Sequence, residues 1–178
     1  GVIHRNLTIS QQINEIKKVK SKSFKVGAAV GTNESELNRI KNILKHDIDL
    51  IVVDTAHGHS RKVADTILKI KKIKPKKTTL CAGNIATAEA AKFLCKLDVD
   101  VIKVGIGPGS ICTTRLVAGI GVPQLSALLE VKKGINKKAK IISDGGIKFS
   151  GDIAKALAAG ADAVMVGSML AGTSEAPG

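Results

Sequence analysis

The sequence contains no tryptophan, no tyrosine and only three phenylalanines among its 178 residues. It therefore lacks the aromatic platforms on which proteins stack single-stranded bases. Its three cysteines, at positions 81, 95 and 112, form no CxxC pair, which argues against a disulfide framework and favours a reducing, cytoplasmic setting. No apolar run approaches the ~20 residues of a membrane span, so a membrane partner is not expected. Residues 1–6 show no signal-peptide pattern.

Acidic residues are also scarce, since 15 Asp and Glu face 28 Lys and Arg, for a net charge of +13. Such a charge raises nucleic acid as a partner. The lysines, however, cluster at predicted helix ends and helix-to-strand loops, where a solvated face is the simpler interpretation. The two densest clusters are Lys69, Lys71, Lys72, Lys74, Lys76 and Lys77, and Lys132, Lys133, Lys137, Lys138 and Lys140. Nucleic acid is therefore not expected, and a basic fragment that binds RNA is kept as an alternative function.

Six short runs of β-branched or small apolar residues recur along the chain, each as long as a strand buried on both faces. They lie at 26–30, 50–53, 78–82, 101–104, 140–143 and 163–166, and residues 1–4 read as the tail of another strand. Helical patterns lie between these runs. Thr8 with Gln11 opens one helix, and Asn33 with Glu36 resembles a capping pair at the start of another.

Strands that alternate with helices require a parallel sheet, so the fold class is α/β. The pattern is compatible with a doubly wound sheet or with a (β/α)₈ TIM barrel. The barrel is favoured because nearly every predicted strand ends in polar or glycine-rich residues, and barrels build one site from many strand ends. Because a whole barrel takes ~250 residues, residues 1–178 are interpreted as a single partial (β/α)₈ catalytic domain.

The longest strand-to-strand interval contains a glycine-rich stretch, 106–123, and long loops in compact domains are usually functional. Cys112 lies in this stretch among hydroxyl side chains and near Arg115. A thiol in such a loop can be exposed and reactive, as a nucleophile requires. Cys81, in a predicted strand, and Cys95, in a predicted helix, are instead interpreted as small apolar fillers.

Glycine-rich turns follow the last two predicted strands, at Asp144-Gly145-Gly146 and at Gly167-Ser168. Barrels hold phosphate at this position, on backbone N–H groups and a helix N-terminus. We predict that the two turns bind a phosphate and that Asp144 accepts hydrogen bonds from sugar hydroxyls. The alternative is that the glycines only make tight turns.

A carboxylate and two imidazoles follow the second predicted strand, at Asp54, His57 and His59. No third ligand with suitable spacing accompanies the two histidines, so a metal at this place is not favoured. Asp54 is interpreted as an acceptor for a sugar hydroxyl or as a helix-proximal cap. Asn84, at the end of the next predicted strand, is interpreted as an amide-binding or turn residue.

The stretches 104–124, 142–152 and 167–178 closely resemble the IMP dehydrogenase family, and the resemblance covers the whole chain. The most specific segment is Gly109-Ser110-Ile111-Cys112-Thr113-Thr114-Arg115. GMP reductase shares the cysteine loop and the Asp-Gly-Gly turn, but its loop typically continues differently from residues 116–123 of this sequence. GMP reductase, which deaminates GMP to IMP with NADPH, is therefore the alternative.

The resemblance implies an enzyme of guanine nucleotide biosynthesis that oxidises IMP to XMP with NAD. Cys112 would attack C2 of the hypoxanthine ring to form a covalent adduct, and Thr114 would lie near the hydrolytic water. The residues implied to bind the substrate are Ser110, Asp144, Gly145, Gly146, Gly167 and Ser168. Those implied to bind NAD are Asp54, Thr55, Ala56, Asn84, Gly105, Ile106 and Gly107.

The family also binds a monovalent cation, usually K⁺, through loop carbonyls that match Gly107, Gly109 and Cys112, and it assembles as homotetramers. Three departures from its pattern stand out. The regulatory CBS modules are absent near residues 21–25, the first strand is missing upstream, and the mobile flap with its Arg-Tyr pair would lie beyond Gly178. We expect residues 1–178 alone neither to close a barrel nor to turn over.

Overall fold

The structure is a computed structural model, and it describes residues 1–109, 116, 119–136 and 138–176. Contacts between residues divide the chain into two compact units, Gly1–Gly83 and Asn84–Gly178. Strand β4 crosses this division, so its last two residues belong to the second unit.

Strands and helices alternate throughout, as the sequence predicts. In the described ranges there are seven strands, β1 (Val2–Ile3), β2 (Gly27–Val30), β3 (Leu50–Asp54), β4 (Thr79–Ile85), β5 (Val101–Val104), β6 (Lys140–Asp144) and β7 (Ala163–Met165). The α-helices of the same ranges are α1 (Ile9–Ser21), α2 (Glu36–Ile43), α3 (Arg61–Ile73), α4 (Ala88–Lys96), α5 (Gln124–Gly134) and α6 (Ser150–Ala158). A 3₁₀ turn, Leu44–His46, follows α2.

The order of the strands separates the two architectures that the sequence left open. Pairing is parallel, and the strand order is the chain order from β1 to β7. A doubly wound sheet reverses its order at a switch point, whereas a barrel adds each strand beside the preceding one. The α/β fold class, as an incomplete (β/α)₈ barrel, is therefore confirmed.

In the first unit, β2 and β3 are buried almost continuously along their lengths. Ala28 pairs with Ile51 and Val30 with Val53, and all four side chains are inaccessible to solvent. Parallel strands covered on both faces leave little room for polar side chains, which is why these runs do not alternate in polarity.

Side-chain caps fix the starts of α1, α3 and α4. Thr8 forms a reciprocal capping box with Gln11 at the start of α1, which confirms the prediction that this pair opens a helix. Ser60 and Thr87 accept the corresponding backbone hydrogen bonds at α3 and α4. Each of these hydroxyls satisfies a backbone N–H that the helix itself leaves without a partner.

The capping pair predicted for Asn33 and Glu36 is wrong. Ser35 is the N-cap of α2, and it makes no side-chain cap hydrogen bond. The Glu36 carboxylate instead accepts hydrogen bonds from Gly31 N at 2.7 Å and from Arg39 Nε at 3.0 Å. The Arg39 guanidinium and the Gly31 N–H, which lies just after β2, together stabilise the Glu36 carboxylate more than a hydrogen bond from the N-cap backbone would.

In the second unit, α4 and α5 pack closely against each other. Gly134 ends α5 beside the first turn of α4, and a Cβ at this position would overlap the carbonyl oxygen of Ala88. Leu94 on α4 and Leu128 on α5 are inaccessible to solvent. Glycine is therefore required at position 134 by the approach of the two helices.

The described lysines of both clusters lie at helix ends and in loops, as the sequence predicts, except Lys140, which is the first residue of β6. Lys71 and Lys72 occupy the last turn of α3, and Lys132 and Lys133 the last turn of α5, where positive charge complements the helix dipole. Lys137 lies outside the described residues. Within the described ranges, no helix has the length and hydrophobicity to cross a membrane.

Candidate active site

A cavity of about 480 Å³ opens beyond the carboxyl ends of β6 and β7. It brings together both predicted glycine turns and the first part of the cysteine loop. The predicted site residues that line it are Gly109, Asp144, Gly145, Gly146, Gly167 and Ser168. Among the described residues, the rest of its lining is apolar or backbone, from Ile147, Met165, Leu170, Ala171 and Ala176. The lining thus combines glycine backbone, the Asp144 carboxylate and the Ser168 hydroxyl with apolar side chains, a composition typical of ligand pockets.

The first part of the cysteine loop, residues 105–109, is held by backbone contacts of the second unit. Gly105 N donates to Ile85 O at 3.0 Å, and Val122 N donates to Ile106 O at 3.1 Å. Gly105 has a φ of 151°, and a Cβ here would overlap the carbonyl oxygen of Asp144. The loop therefore leaves β5 in a direction that only glycine allows.

The same loop packs on the turn that follows β6. Gly145 and Gly146 have φ values of 90° and 76°. A Cβ on Gly145 would lie 2.9 Å from Pro108 Cγ and 3.0 Å from Gly109 N. The two glycines thus supply both the positive φ and the space that the Pro108 ring occupies.

The Asp144 carboxylate is held by two donors that meet the same oxygen. Lys103 Nζ lies 2.5 Å and Asn84 Nδ2 lies 2.9 Å from Asp144 Oδ2. Sequence reasoning missed Lys103, which is only 4% exposed. The available signal was a lysine in the middle of an otherwise apolar strand, because buried lysines are rare unless they are paired.

Two side-chain amides clamp the backbone where the cysteine loop begins. Asn84 Nδ2 donates to Gly105 O at 2.8 Å, and Gln124 Nε2 donates to Val104 O at 2.8 Å and to Ser143 Oγ at 2.9 Å. In the part of the chain that the structure describes, Asn84 Oδ1 and Gln124 Oε1 are buried and have no hydrogen-bond partner. Such an acceptor is costly unless a ligand or water donates to it.

The residues predicted around Asp54 belong to the first unit. Asp54 ends β3 and pairs in register with Gly83. The Thr55 N–H and hydroxyl both donate to Gly83 O, at 3.0 and 2.9 Å. The Thr55 hydroxyl is therefore used in a hydrogen bond within the fold. Ala56 is the next residue in the chain. The rings of His57 and His59 are 6.4 Å apart. Within the described ranges, no group of three or more His, Cys, Asp or Glu residues could hold a metal.

Three predicted residues, Ser110, Cys112 and Thr114, lie outside the described residues. Gly105, Ile106, Gly107 and Gly109 are described, and they form the start of the loop that carries Cys112. Cys81 is buried in β4 and Cys95 lies on α4, as the sequence predicts for both.

The whole chain, residues 1–178, matches the model of one protein family, the IMP dehydrogenase / GMP reductase domain. The chain belongs to this family. Similar curated proteins of the family include the inosine-5'-monophosphate dehydrogenase of Bacillus subtilis (strain 168), which is 57% identical over 154 residues. That of Aquifex aeolicus (strain VF5) is 57% identical over 156 residues. The matches cover 86% and 87% of this chain but 31% and 32% of those relatives, so the chain spans about a third of their length.

Proposed function

We propose that the protein of which this chain is a part oxidises IMP to XMP with NAD. The observation that carries the proposal is the cavity in which both glycine turns, Asp144 and the start of the cysteine loop meet. The family match and the names of the relatives support the same activity. In this proposal, the phosphate binds to N–H groups of Gly146, Gly167 and Ser168, and Ser110 adds its hydroxyl.

The ribose and the base occupy the remainder of the cavity. Asp144 accepts from ribose hydroxyls, and its charge is held in place by Lys103. The hypoxanthine ring lies against the apolar side chains of Ile147 and Met165, which line the cavity, with C2 directed to the loop of Cys112. Gly145 contributes space rather than a side chain, because Pro108 and Gly109 occupy the place where a Cβ would stand.

The chemistry follows from a thiolate at position 112. The Cys112 thiolate forms a bond to C2, and the C2 hydrogen leaves as hydride with its electron pair. NAD, when bound, accepts that hydride. Water, held near Thr114, then adds to the resulting thioimidate, breaks the C–S bond and yields XMP with release of a proton and the free cysteine.

The described residues fit part of the cofactor site. The buried and unpartnered Asn84 Oδ1 is an acceptor that the amide of a nicotinamide ring can satisfy. Asp54, Thr55, Ala56, Gly105, Ile106 and Gly107 are proposed as its further contacts. K⁺ would be held by carbonyls of Gly107, Gly109 and Cys112, where it would order the cysteine loop. Gly107 has a φ of 79°, a backbone conformation that glycine adopts readily and most residues do not.

Substitution of Cys112 in the intact protein tests the nucleophile. Cys112→Ala should abolish XMP formation while IMP still binds, measured by isothermal titration calorimetry. The matched control is Cys95→Ala, which lies on α4 and should leave turnover within about twofold of wild type. The cysteine assignment would be overturned by normal turnover of Cys112→Ala. Labelling with 6-chloropurine ribotide and peptide mapping should find the modification on Cys112.

GMP reductase is the second candidate, because the family model covers both activities. The two share the cysteine adduct and differ in the reaction. NAD-dependent formation of XMP supports the dehydrogenase, and NADPH-dependent loss of ammonia from GMP supports the reductase. RNA binding would instead appear as an affinity that falls steeply with salt and that nucleotides do not compete for.

We further propose a homotetramer in the cytoplasm, testable by light scattering and fractionation. A single partial (β/α)₈ catalytic domain over residues 1–178, without CBS modules near residues 21–25, is also proposed. It is supported by the short connection, residues 22–26, between α1 and β2.

A further inference from the structure

Lys103 is a buried charge that touches neither the substrate nor the reacting atoms in the proposed chemistry. Its side chain is 5% exposed, and its ammonium contacts Asp144 Oδ2 at 2.5 Å. A buried ammonium is costly unless a paired charge compensates it. Lys103 does not line the 480 Å³ cavity, whereas Asp144 does. We propose that Lys103 is a positioning residue that sets selectivity for ribose over 2-deoxyribose through Asp144. The proposal rests on the proposed function, in which Asp144 binds the sugar.

The strand register explains how Lys103 reaches the carboxylate. Lys103 on β5 pairs with Ile142 on β6, so the two side chains share a face, and Asp144, two residues further along, shares it too. Two residues of a strand span about 6.6 Å, which is close to the reach of an extended lysine. The lysine arm therefore lies along β6 and ends at the carboxylate that closes the strand.

The two donors to Asp144 fix which of its oxygens faces a ligand. Lys103 Nζ and Asn84 Nδ2 both bind Oδ2, and among the described residues Oδ1 receives no hydrogen bond. Because Lys103 and Asn84 stand outside the cavity lining, Oδ1 is the oxygen that remains for the cavity. A carboxylate held in one orientation can accept from a 2'-hydroxyl with little loss of rotational freedom, and one that rotates freely cannot.

The test compares IMP with 2'-deoxy-IMP as substrates of the intact protein. Lys103→Met should lower kcat/KM for IMP at least tenfold, mainly through KM, and should change kcat/KM for 2'-deoxy-IMP less than threefold. Lys103→Arg, which keeps the charge, should restore most of the selectivity. The control is Lys140→Met, which removes a lysine whose ammonium lies 3.0 Å from Asp162 at the exposed opposite end of β6. It should leave the ratio unchanged.

Equal losses on both nucleotides would overturn the proposal, because they would make Lys103 a structural ion pair only. Unchanged selectivity would overturn it as well. Should Lys103→Met fail to fold by circular dichroism, Lys103→Gln carries the same comparison. If the wild-type protein does not oxidise IMP, the proposed function fails separately. In that case, isothermal titration calorimetry would compare the binding of ribose 5-phosphate and of 2-deoxyribose 5-phosphate to the wild-type protein and to Lys103→Met. The variant should lose the preference for ribose 5-phosphate.

Discussion

At the scale of single residues, Gly145 carries two constraints at once. Its φ of 90° lies in the region that L side chains rarely adopt, and Pro108 and Gly109 fill the space where a Cβ would stand. Gly151, in the first turn of α6, carries neither constraint, because nothing lies within 4 Å of its Cβ position. Alanine substitutions at Gly145 and Gly151 therefore separate the effect of an added methyl group from the effect of the backbone conformation and packing at position 145.

Gly145→Ala should lower the free energy of unfolding by about 1–3 kcal/mol, the cost of a strained backbone residue. Gly151→Ala should change it by no more than about 1 kcal/mol and in the stabilising direction, since alanine favours a helix over glycine. Urea unfolding of the intact protein measures both. Equal values for the two variants would show that the turn after β6 can relax.

The sequence indicated Asp144 and both glycine turns as candidates, because their residue types are diagnostic within a few positions, and the structure places them around one cavity. Lys103 could not be predicted in the same way. Its partner lies 41 residues away in the chain, and local periodicity contains no information on such a pair. The hydrogen bonds from Asn84 to the Gly105 carbonyl and from Gln124 to the Val104 carbonyl depend on the same kind of distant contact.

At the scale of elements, α1 and α2 begin by different means. The Thr8 hydroxyl accepts from Gln11 N at 3.2 Å, and Gln11 Oε1 accepts from Thr8 N at 3.0 Å. Ser35, at the start of α2, makes no such bond. The motif of a small polar residue followed three positions later by Glu or Gln predicted the first helix correctly and failed at Asn33. It failed because an arginine and a strand end compete for Glu36.

Thr8→Ala should therefore destabilise the protein by about 1 kcal/mol, the usual cost of losing an N-cap hydroxyl. Ser35→Ala removes a hydroxyl from the equivalent position without removing a cap bond, so its effect should stay within about 0.5 kcal/mol. Thermal melting of the two variants provides the comparison. A larger effect for Ser35→Ala would contradict the cap assignment of both helices.

At the scale of the whole molecule, both units close the amino end of a strand with an aspartate. Asp49 N donates to Val26 O, and the Asp49 carboxylate accepts from Val26 N, both at 2.9 Å. Asp162 makes the same two bonds to Ile141, again both at 2.9 Å. The same pair of hydrogen bonds is therefore used in each unit.

These bonds make the stability of the protein depend on pH. The hydrogen bond from the Val26 N–H and the Lys20 ammonium lower the pKa of Asp49. Together they outweigh burial, which raises it, so this pKa lies below its usual value. Burial raises the pKa of Asp162, but the Ile141 N–H and the Lys140 ammonium outweigh it, so that pKa is also lowered. A lowered pKa stabilises the fold above the unfolded value of about 3.9, and this contribution is lost as the pH falls through the folded value.

The double variant Asp49→Asn, Asp162→Asn should lose about 2 kcal/mol at pH 7, about 1 for each partly exposed bond to a charged group. The difference from wild type should shrink below about pH 4, where the wild-type carboxylates become protonated. Urea unfolding from pH 3 to pH 7 measures it. A difference that stays constant across this range would contradict the role of the two charges.

The contact between Pro108 and the turn after β6 has a consequence for anyone who redesigns this protein. The proline ring and the two glycines fit as a matched set, so neither half can be exchanged alone without leaving a gap or a clash. A graft of the cysteine-bearing segment onto another scaffold would have to carry residues 144–146 with it. Sequences assembled by recombination between relatives should, for the same reason, tolerate a crossover between α3 and β4 better than one between β5 and β6.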